Sequence, residues 1–197
     1  MPLLGFAFGC SANADAIMAS PAQFTYFQGA GFDATLLSFM QVDGNGSVNV
    51  SKLGAKPYLT AGCGGFVDIS AHARRIVFAG FFTAGARLEV GDGKLTIVKE
   101  GRTRKFVRTA EHITFSGVLG RERGQRVTYV TERCVIELEK DGLVVTEVAP
   151  GIDVQRDVLD QADIALRVSP QLRVMPQALF RPEAIGLQLK PEEVRRG

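Results

Sequence analysis

An α/β fold is expected for this chain, with a sheet flanked by helices and a β-hairpin or meander inserted after Gly85. Three observations carry that expectation. Gly62-Cys-Gly-Gly65, Asp68–Ala73 and Ile76–Phe82 read as glycine loop, short helix and buried strand, the order of an α/β crossover. Asp43-Gly-Asn-Gly46 and Lys140-Asp-Gly142 each separate two apolar runs, as hairpin turns do, because Gly and Asn accept positive φ at little cost. After Gly85, short alternating runs are punctuated by glycines at 91, 93 and 101, the pattern of a meander.

Taken in order, residues 3–10 are an expected buried strand ending at Gly9. Ser11 to Asp15 offers N-caps for a short helix to about Met18, with Pro21 as its stop. Phe24 to Phe27 alternates aromatic and polar residues as a strand does, and Gly29-Ala-Gly31 is a turn. Ala34–Val42 and Ser47–Ser51 form a hairpin, followed by an irregular loop over Leu53–Leu59. In the meander, strands are expected at Leu88–Val90, Leu95–Lys99, Phe106–Thr109, His112–Phe115 and Val127–Val130. A second hairpin pairs Cys134–Leu138 with Leu143–Val148, and Asp153 caps a helix over Val154–Gln161. Beyond Ser169-Pro170 the chain is polar and proline-punctuated. One domain over residues 1–187 is expected, with 88–126 as its insertion and 188–197 as a flexible tail.

A chain of 197 residues, 46% apolar and with a net charge of +2, has ample length for a core and belongs to the soluble globular class. Eight Lys or Arg between Lys99 and Arg126 face only Glu100, Glu111 and Glu122. Such a stripe suits phosphate, nucleic acid or an acidic partner, but it equally suits the solvated faces of a hairpin. No aromatic platform accompanies it, so no nucleic-acid partner is expected. Cys10, Cys63 and Cys134 are widely spaced, and His72 and His112 stand apart, which argues against a disulfide framework or a zinc site. Three free thiols fit a reducing, cytoplasmic compartment. The apolar amino terminus lacks a preceding basic residue and is too short to span a bilayer, so neither a signal peptide nor membrane association is expected. It resembles the middle of a core strand, as if an upstream segment were missing.

Five stretches in order resemble a known family. Gly29-Ala-Gly-Phe-Asp-Ala-Thr-Leu-Leu, then Gln41-Val-Asp to Asn49-Val, then Gly62-Cys-Gly-Gly-Phe-Val-Asp68 are similar to the β-half of family I CoA-transferases, the group of the acetate, propionate and 3-oxoacid enzymes. Tyr129-Val-Thr-Glu-Arg-Cys-Val135 and Glu147-Val-Ala-Pro-Gly-Ile-Asp153 extend the resemblance over nearly the whole chain. The stretch from Leu88 to Gly124 resembles the single-chain bacterial type. The resemblance implies a CoA-transferase-like fold, related to that of sugar isomerases, and short-chain fatty acid or ketone-body metabolism.

It also implies a chemistry. A glutamate attacks the acyl-CoA carbonyl, giving an acyl-glutamyl anhydride and CoA thiolate. The thiolate returns to form a glutamyl-CoA thioester, and a second carboxylate collects the CoA. The substrates are acyl-CoA and carboxylate, with no separate cofactor and no metal. The family places its glutamate a few residues before a glycine-rich strand start, yet Glu89 is the first glutamate here. No catalytic residue is therefore expected within the chain. The nucleophile is expected upstream of Met1, the isolated chain is expected to be inactive, and the missing α-half and a homo-oligomer are the expected partners.

The supporting site is expected at Gly62, Gly64, Gly65 and Phe66, whose backbone N–H groups match the family's oxyanion and CoA-facing loop. Such donors are worth about 3–4 kcal/mol each in comparable sites. The alternative is a plain tight turn. Ser11 and Asn13 are acyl-pocket candidates, or else belong to a helix cap. Cys63 lacks a nearby histidine and His72 suits a structural place. Glu132 and Arg133 suit an ion pair or a subunit contact better than catalysis. Two further readings stay open: a β-subunit-like protein with a separate glutamate-bearing partner, and a non-catalytic acyl-CoA-binding or assembly module.

Overall fold

A computed structural model describes residues 12–30, 32–54 and 60–186. The expected strand at 3–10, Ser11, part of the 53–59 loop and the 188–197 tail lie outside the described residues. The first half of the described chain runs α1 (Ser20–Ala30), β1 (Phe32–Ser38), β2 (Gln41–Val42), β3 (Val48–Asn49), α2 (Phe66–His72) and β4 (Ala73–Ala79). Short strands follow at β5 (Thr83–Ala84), β6 (Arg87–Gly91), β7 (Lys94–Lys99) and β8 (Thr103–Arg104). The remainder is α3 (Gly117–Glu122), β9 (Arg126–Val130), β10 (Cys134–Glu139), β11 (Gly142–Val148), α4 (Val154–Asp157) and β12 (Arg167–Val174).

The α/β expectation holds. A six-stranded mixed sheet has the order β1-β4-β9-β10-β11-β12, with β1, β4 and β9 mutually parallel and β10 antiparallel to both neighbours. Alternation puts Ile76 and Phe78 of β4 and Val127 and Tyr129 of β9 on one face, all buried. Phe66 stacks on Phe78 at 5.8 Å between centroids, and Phe78 on Tyr129 at 5.5 Å, so an aromatic column fastens α2 to the sheet. A smaller core of Leu95, Ala149, Met175 and Phe180 seats the β6–β7 hairpin. Among the described residues no helix is long and apolar enough to cross a membrane.

The Cys134–Val148 hairpin is present as β10–β11, whereas the first expected hairpin shrinks to β2–β3, because residues 34–38 of its leading arm belong to β1 and pair in parallel with β4. β2 pairs antiparallel with β3, and Asp43 Oδ1 shapes the turn by accepting the Asn45 and Ser47 N–H groups, each at 2.9 Å. Asp153 caps α4 as expected, accepting the Arg156 N–H at 2.8 Å, but the α-helix closes at Asp157 and a 3-10 turn over Leu159–Gln161 occupies the rest of the expected span.

At four places the structure departs from or goes beyond the local expectations. Residues 12–19 are not helical, and the helix begins at Ser20 and absorbs both Pro21 and the Phe24–Phe27 stretch. Pro21 occupies the first turn, where its absent N–H forfeits no intrahelical bond, so it starts the helix rather than ending one. Residues 106–109 and 112–115 are not strands; Phe106 and Phe115 make only isolated bridges to Val42 and Val48. The glycine-containing α3 was not anticipated, since Gly117 and Gly120 lower helix propensity. They are there for close packing: a Cβ at Gly117 would strike the Asn45 carbonyl, and one at Gly120 the Phe115 ring. Finally, Pro170 lies within a strand. β12 is an edge strand whose register with β11 shifts between Val145 and Glu147, and edges and bulges are where a proline can sit in a sheet.

Candidate functional site

The parallel strands β1 and β4 are joined by the β2–β3 hairpin, the glycine loop and α2. That connection places the loop at the carboxyl end of the parallel strands, the end where α/β sheets gather their ligand sites. Two hydrogen bonds anchor its entry: the Ser51 carbonyl accepts the Ala61 N–H at 2.8 Å and the Gly62 N–H at 3.2 Å. A tight turn follows, in which the Phe66 N–H donates to the Cys63 carbonyl at 3.0 Å. The Gly64 and Gly65 N–H groups have no acceptor among the described residues.

Each of those glycines is needed for a different reason. Gly64 has φ +50 with open space around it, so its requirement is conformational. Gly65 has an ordinary φ of −80, but a Cβ there would lie 2.5 Å from the Phe24 ring of α1. Helix α1 therefore passes directly against the loop. The Phe66 side chain turns inward to the aromatic column.

The polar groups behind the loop are the part that sequence reasoning missed. Asn49 is fully buried; its Nδ2 donates to Gln41 Oε1 at 2.8 Å and to the Lys52 carbonyl at 2.6 Å, while its Oδ1 accepts the Ser51 and Lys52 N–H groups. Gln41 Nε2 reaches Glu111 at 3.2 Å, and Glu111 in turn accepts the Gly54 N–H. Ser51 and Thr114 exchange a hydroxyl bond at 2.8 Å. This network fixes Ser51, and Ser51 fixes the start of the glycine loop. The available signal was the pairing of two uncharged polar residues, Gln41 and Asn49, on one face of an otherwise apolar hairpin.

At the same strand ends, Lys105 Nζ sits 4.1 Å above the Phe39 ring, and burial holds its ammonium below the usual lysine range. Glu132 accepts the Phe82 N–H at 2.8 Å and pairs with Arg133 Nε, also at 2.8 Å. Arg133 is fully buried, binds Glu100 and the Asp157 carbonyl, and lies 5.0 Å from the Phe82 centroid. The Glu132–Arg133 pair is thus an internal tie. A cleft of about 560 Å³ between β7 and α4 lies apart from the glycine loop, and its Glu100, Arg156 and Asp157 are engaged in ion pairs.

The remaining candidates separate. Asn13 is exposed at φ +52 in the irregular lead into α1, a conformation asparagine tolerates. Cys63 is exposed within the loop. Cys134 is buried, which pushes its thiol up to about 12 and leaves it inert at neutral pH. His72 closes α2, with Nδ1 3.2 Å from the Asp68 carbonyl.

No protein-family model matches the chain. The acetate CoA-transferase YdiF of Escherichia coli O157:H7 is 46% identical over 186 residues, covering 94% of this chain and 34% of that protein. The caffeate CoA-transferase of Acetobacterium woodii is 43% identical over 183 residues, covering 91% of this chain and 35% of that protein. The crystal structure of the E. coli acyl-CoA transferase (YdiF) apoenzyme aligns with a TM-score of 0.87 at 44% identity, over 92% of this chain and 35% of that one. Close homologues of this chain are therefore CoA-transferases, and the chain spans about a third of the length of the curated relatives it matches.

Proposed function

We propose that this chain is the part of a CoA-transferase that supplies the oxyanion-facing glycine loop, while the nucleophilic glutamate comes from a segment outside these 197 residues. The observation that carries this reading is the pair of Gly64 and Gly65 amides, unengaged among the described residues, at the carboxyl end of the parallel strands. The neighbouring Gly62 and Phe66 amides are committed to Ser51 and Cys63, so they shape the turn that presents the pair. Two adjacent N–H groups, fixed before substrate arrives, suit the oxygen of a thioester carbonyl as it gains charge.

In this reading the glutamate attacks the carbonyl carbon of an acyl-CoA, and the carbonyl oxygen becomes an oxyanion between the two amides. Collapse expels CoA thiolate and leaves an acyl-glutamyl anhydride. Return of the thiolate to the glutamyl carbonyl expels the carboxylate product and leaves a glutamyl-CoA thioester. No cofactor enters, since CoA is the transferred group. Acetate is the acyl group that one relative's name carries; propionate and 3-oxoacids rest on the motif resemblance alone.

The test is a mass spectrum. The chain is mixed with the part of the E. coli relative that precedes the matched region, and acetyl-CoA is added. A CoA adduct is expected on a glutamate of the supplied segment and none on this chain. An adduct on Asp33, Asp68, Cys63 or any other side chain of this chain would overturn the reading.

A further inference from the structure

A second charged feature lies at the opposite end of the parallel strands. β4 opens with Ala73-Arg74-Arg75 and β9 with Arg126, and the parallel register sets Arg75 directly beside Arg126. Residues in register on neighbouring strands project to the same face about 4.8 Å apart. Two guanidinium side chains therefore leave the sheet side by side, an arrangement that costs stability when no counter-charge is present. Arg123, in the turn before β9, joins them, and together with His72 and Gln125 they border a cleft of about 440 Å³.

The cleft is neither neutralised nor slack. Arg74 reaches Asp33 only at 3.9 Å, between two largely exposed side chains. Among the described residues, Arg75, Arg123 and Arg126 have no carboxylate within ion-pair distance. Gln125 Nε2 donates to the Ser70 carbonyl at 2.9 Å and the Ala73 carbonyl at 2.7 Å, pinning the turn before β9 to the junction of α2 and β4. Arg123 adds a bond to the Ala71 carbonyl at 3.4 Å. The backbone that carries the arginines is thus set before any ligand arrives.

We infer that this cleft binds a phosphate-bearing anion, with Arg75 and Arg126 as its paired donors and Arg123 closing one side. Guanidinium groups present planar forks that match phosphate oxygens two at a time. A dianionic phosphate between Arg75 and Arg126 turns their mutual repulsion into two attractions. The site is separate from the glycine loop, since the seven residues of α2, roughly 10 Å of helix, lie between Gly65 and the start of β4. Its anion chemistry does not depend on acyl transfer.

Calorimetric titration of the full chain with inorganic phosphate and with adenosine 3′,5′-bisphosphate, at low ionic strength, tests this. Saturable binding is expected, at least tenfold weaker in Arg75→Gln/Arg126→Gln and unchanged in Arg102→Gln/Arg108→Gln. With pyrophosphate as a comparator of similar charge, tighter binding of the bisphosphate points to a nucleotide ester as the source, and binding no tighter than that of pyrophosphate points to free phosphate. Melting curves give a second readout. Without phosphate, Arg126→Gln is expected to melt above the parent because it relieves repulsion; in saturating phosphate the order reverses. No saturable heat with either probe, an equal loss in the Arg102/Arg108 control, or an unchanged melting order would overturn the inference.

Discussion

Arg133→Met is expected to lower the unfolding free energy at neutral pH by about 3–5 kcal/mol, the range for removing one member of a buried ion pair. Arg133 is the largest fully buried side chain among the described residues. It ties three segments together: Glu100 after β7 at 2.8 Å, Glu132 in the β9–β10 turn at 2.8 Å, and the Asp157 carbonyl of α4 at 2.9 Å. Methionine fills the volume but leaves Glu100 and Glu132 without the guanidinium that pairs them, with side-chain exposures of only 29% and 12%. Replacing both glutamates by glutamine alongside Arg133→Met is expected to recover part of the loss, because the cost lies in stranded charge more than in lost attraction.

The same triad gives a pH signature. Burial pushes the Glu100 carboxyl upward, but hydrogen bonds from Arg133, Thr83 and the Gly101 N–H outweigh it and hold the group below its ordinary value of 4.5. A carboxyl depressed in the folded state contributes stability above its unfolded value and loses it as pH falls through the folded one. The unfolding free energy of the parent, read in urea, should therefore fall as pH drops below 4.5. The Arg133→Met chain should show a flatter acid limb. Asp157, held low by Arg156, keeps some slope in both. A loss under about 1 kcal/mol at pH 7, the range of an exposed pair, would show that the triad contributes little.

The second large effect concerns the loop amides. In an enzyme reconstituted with the upstream part of the relative, Gly65→Pro is expected to lower kcat by about 10²–10³-fold, with KM little changed. Proline fits the backbone, since Gly65 has φ −80, and it removes the unengaged N–H. Its added carbons meet Phe24, so both Gly65→Pro and a Gly65→Ala control belong in a Phe24→Ala background. Alanine keeps the N–H and makes the same Cβ contact. The difference between the two variants therefore isolates the donor, and equal kcat values would remove Gly65 from the oxyanion role.

Much of the architecture was legible because its signals are local. Asp43-Gly-Asn-Gly46 and Lys140-Asp-Gly142 specify turns through their own backbone preferences, and β2–β3 and β10–β11 follow. Pro21 is expected to stop a helix and instead starts one, because proline marks a boundary without saying which side is regular. Its own first-turn position needs no N–H, whereas Pro170 rides an edge strand, a position set by the order of the whole sheet. At the site, the glycine cluster could be found because close backbone approach demands that residue type. Of the supporting network only the Gln41–Asn49 pair left a local signal, since Gln41 and Glu111 meet across 70 residues.

The most direct measurement is exchange of labelled acetate into acetyl-CoA by the purified chain, first alone and then with the upstream part of the E. coli relative. Background exchange alone and saturable exchange in the mixture are predicted. Saturable exchange by the chain alone would contradict a nucleophile supplied from outside it.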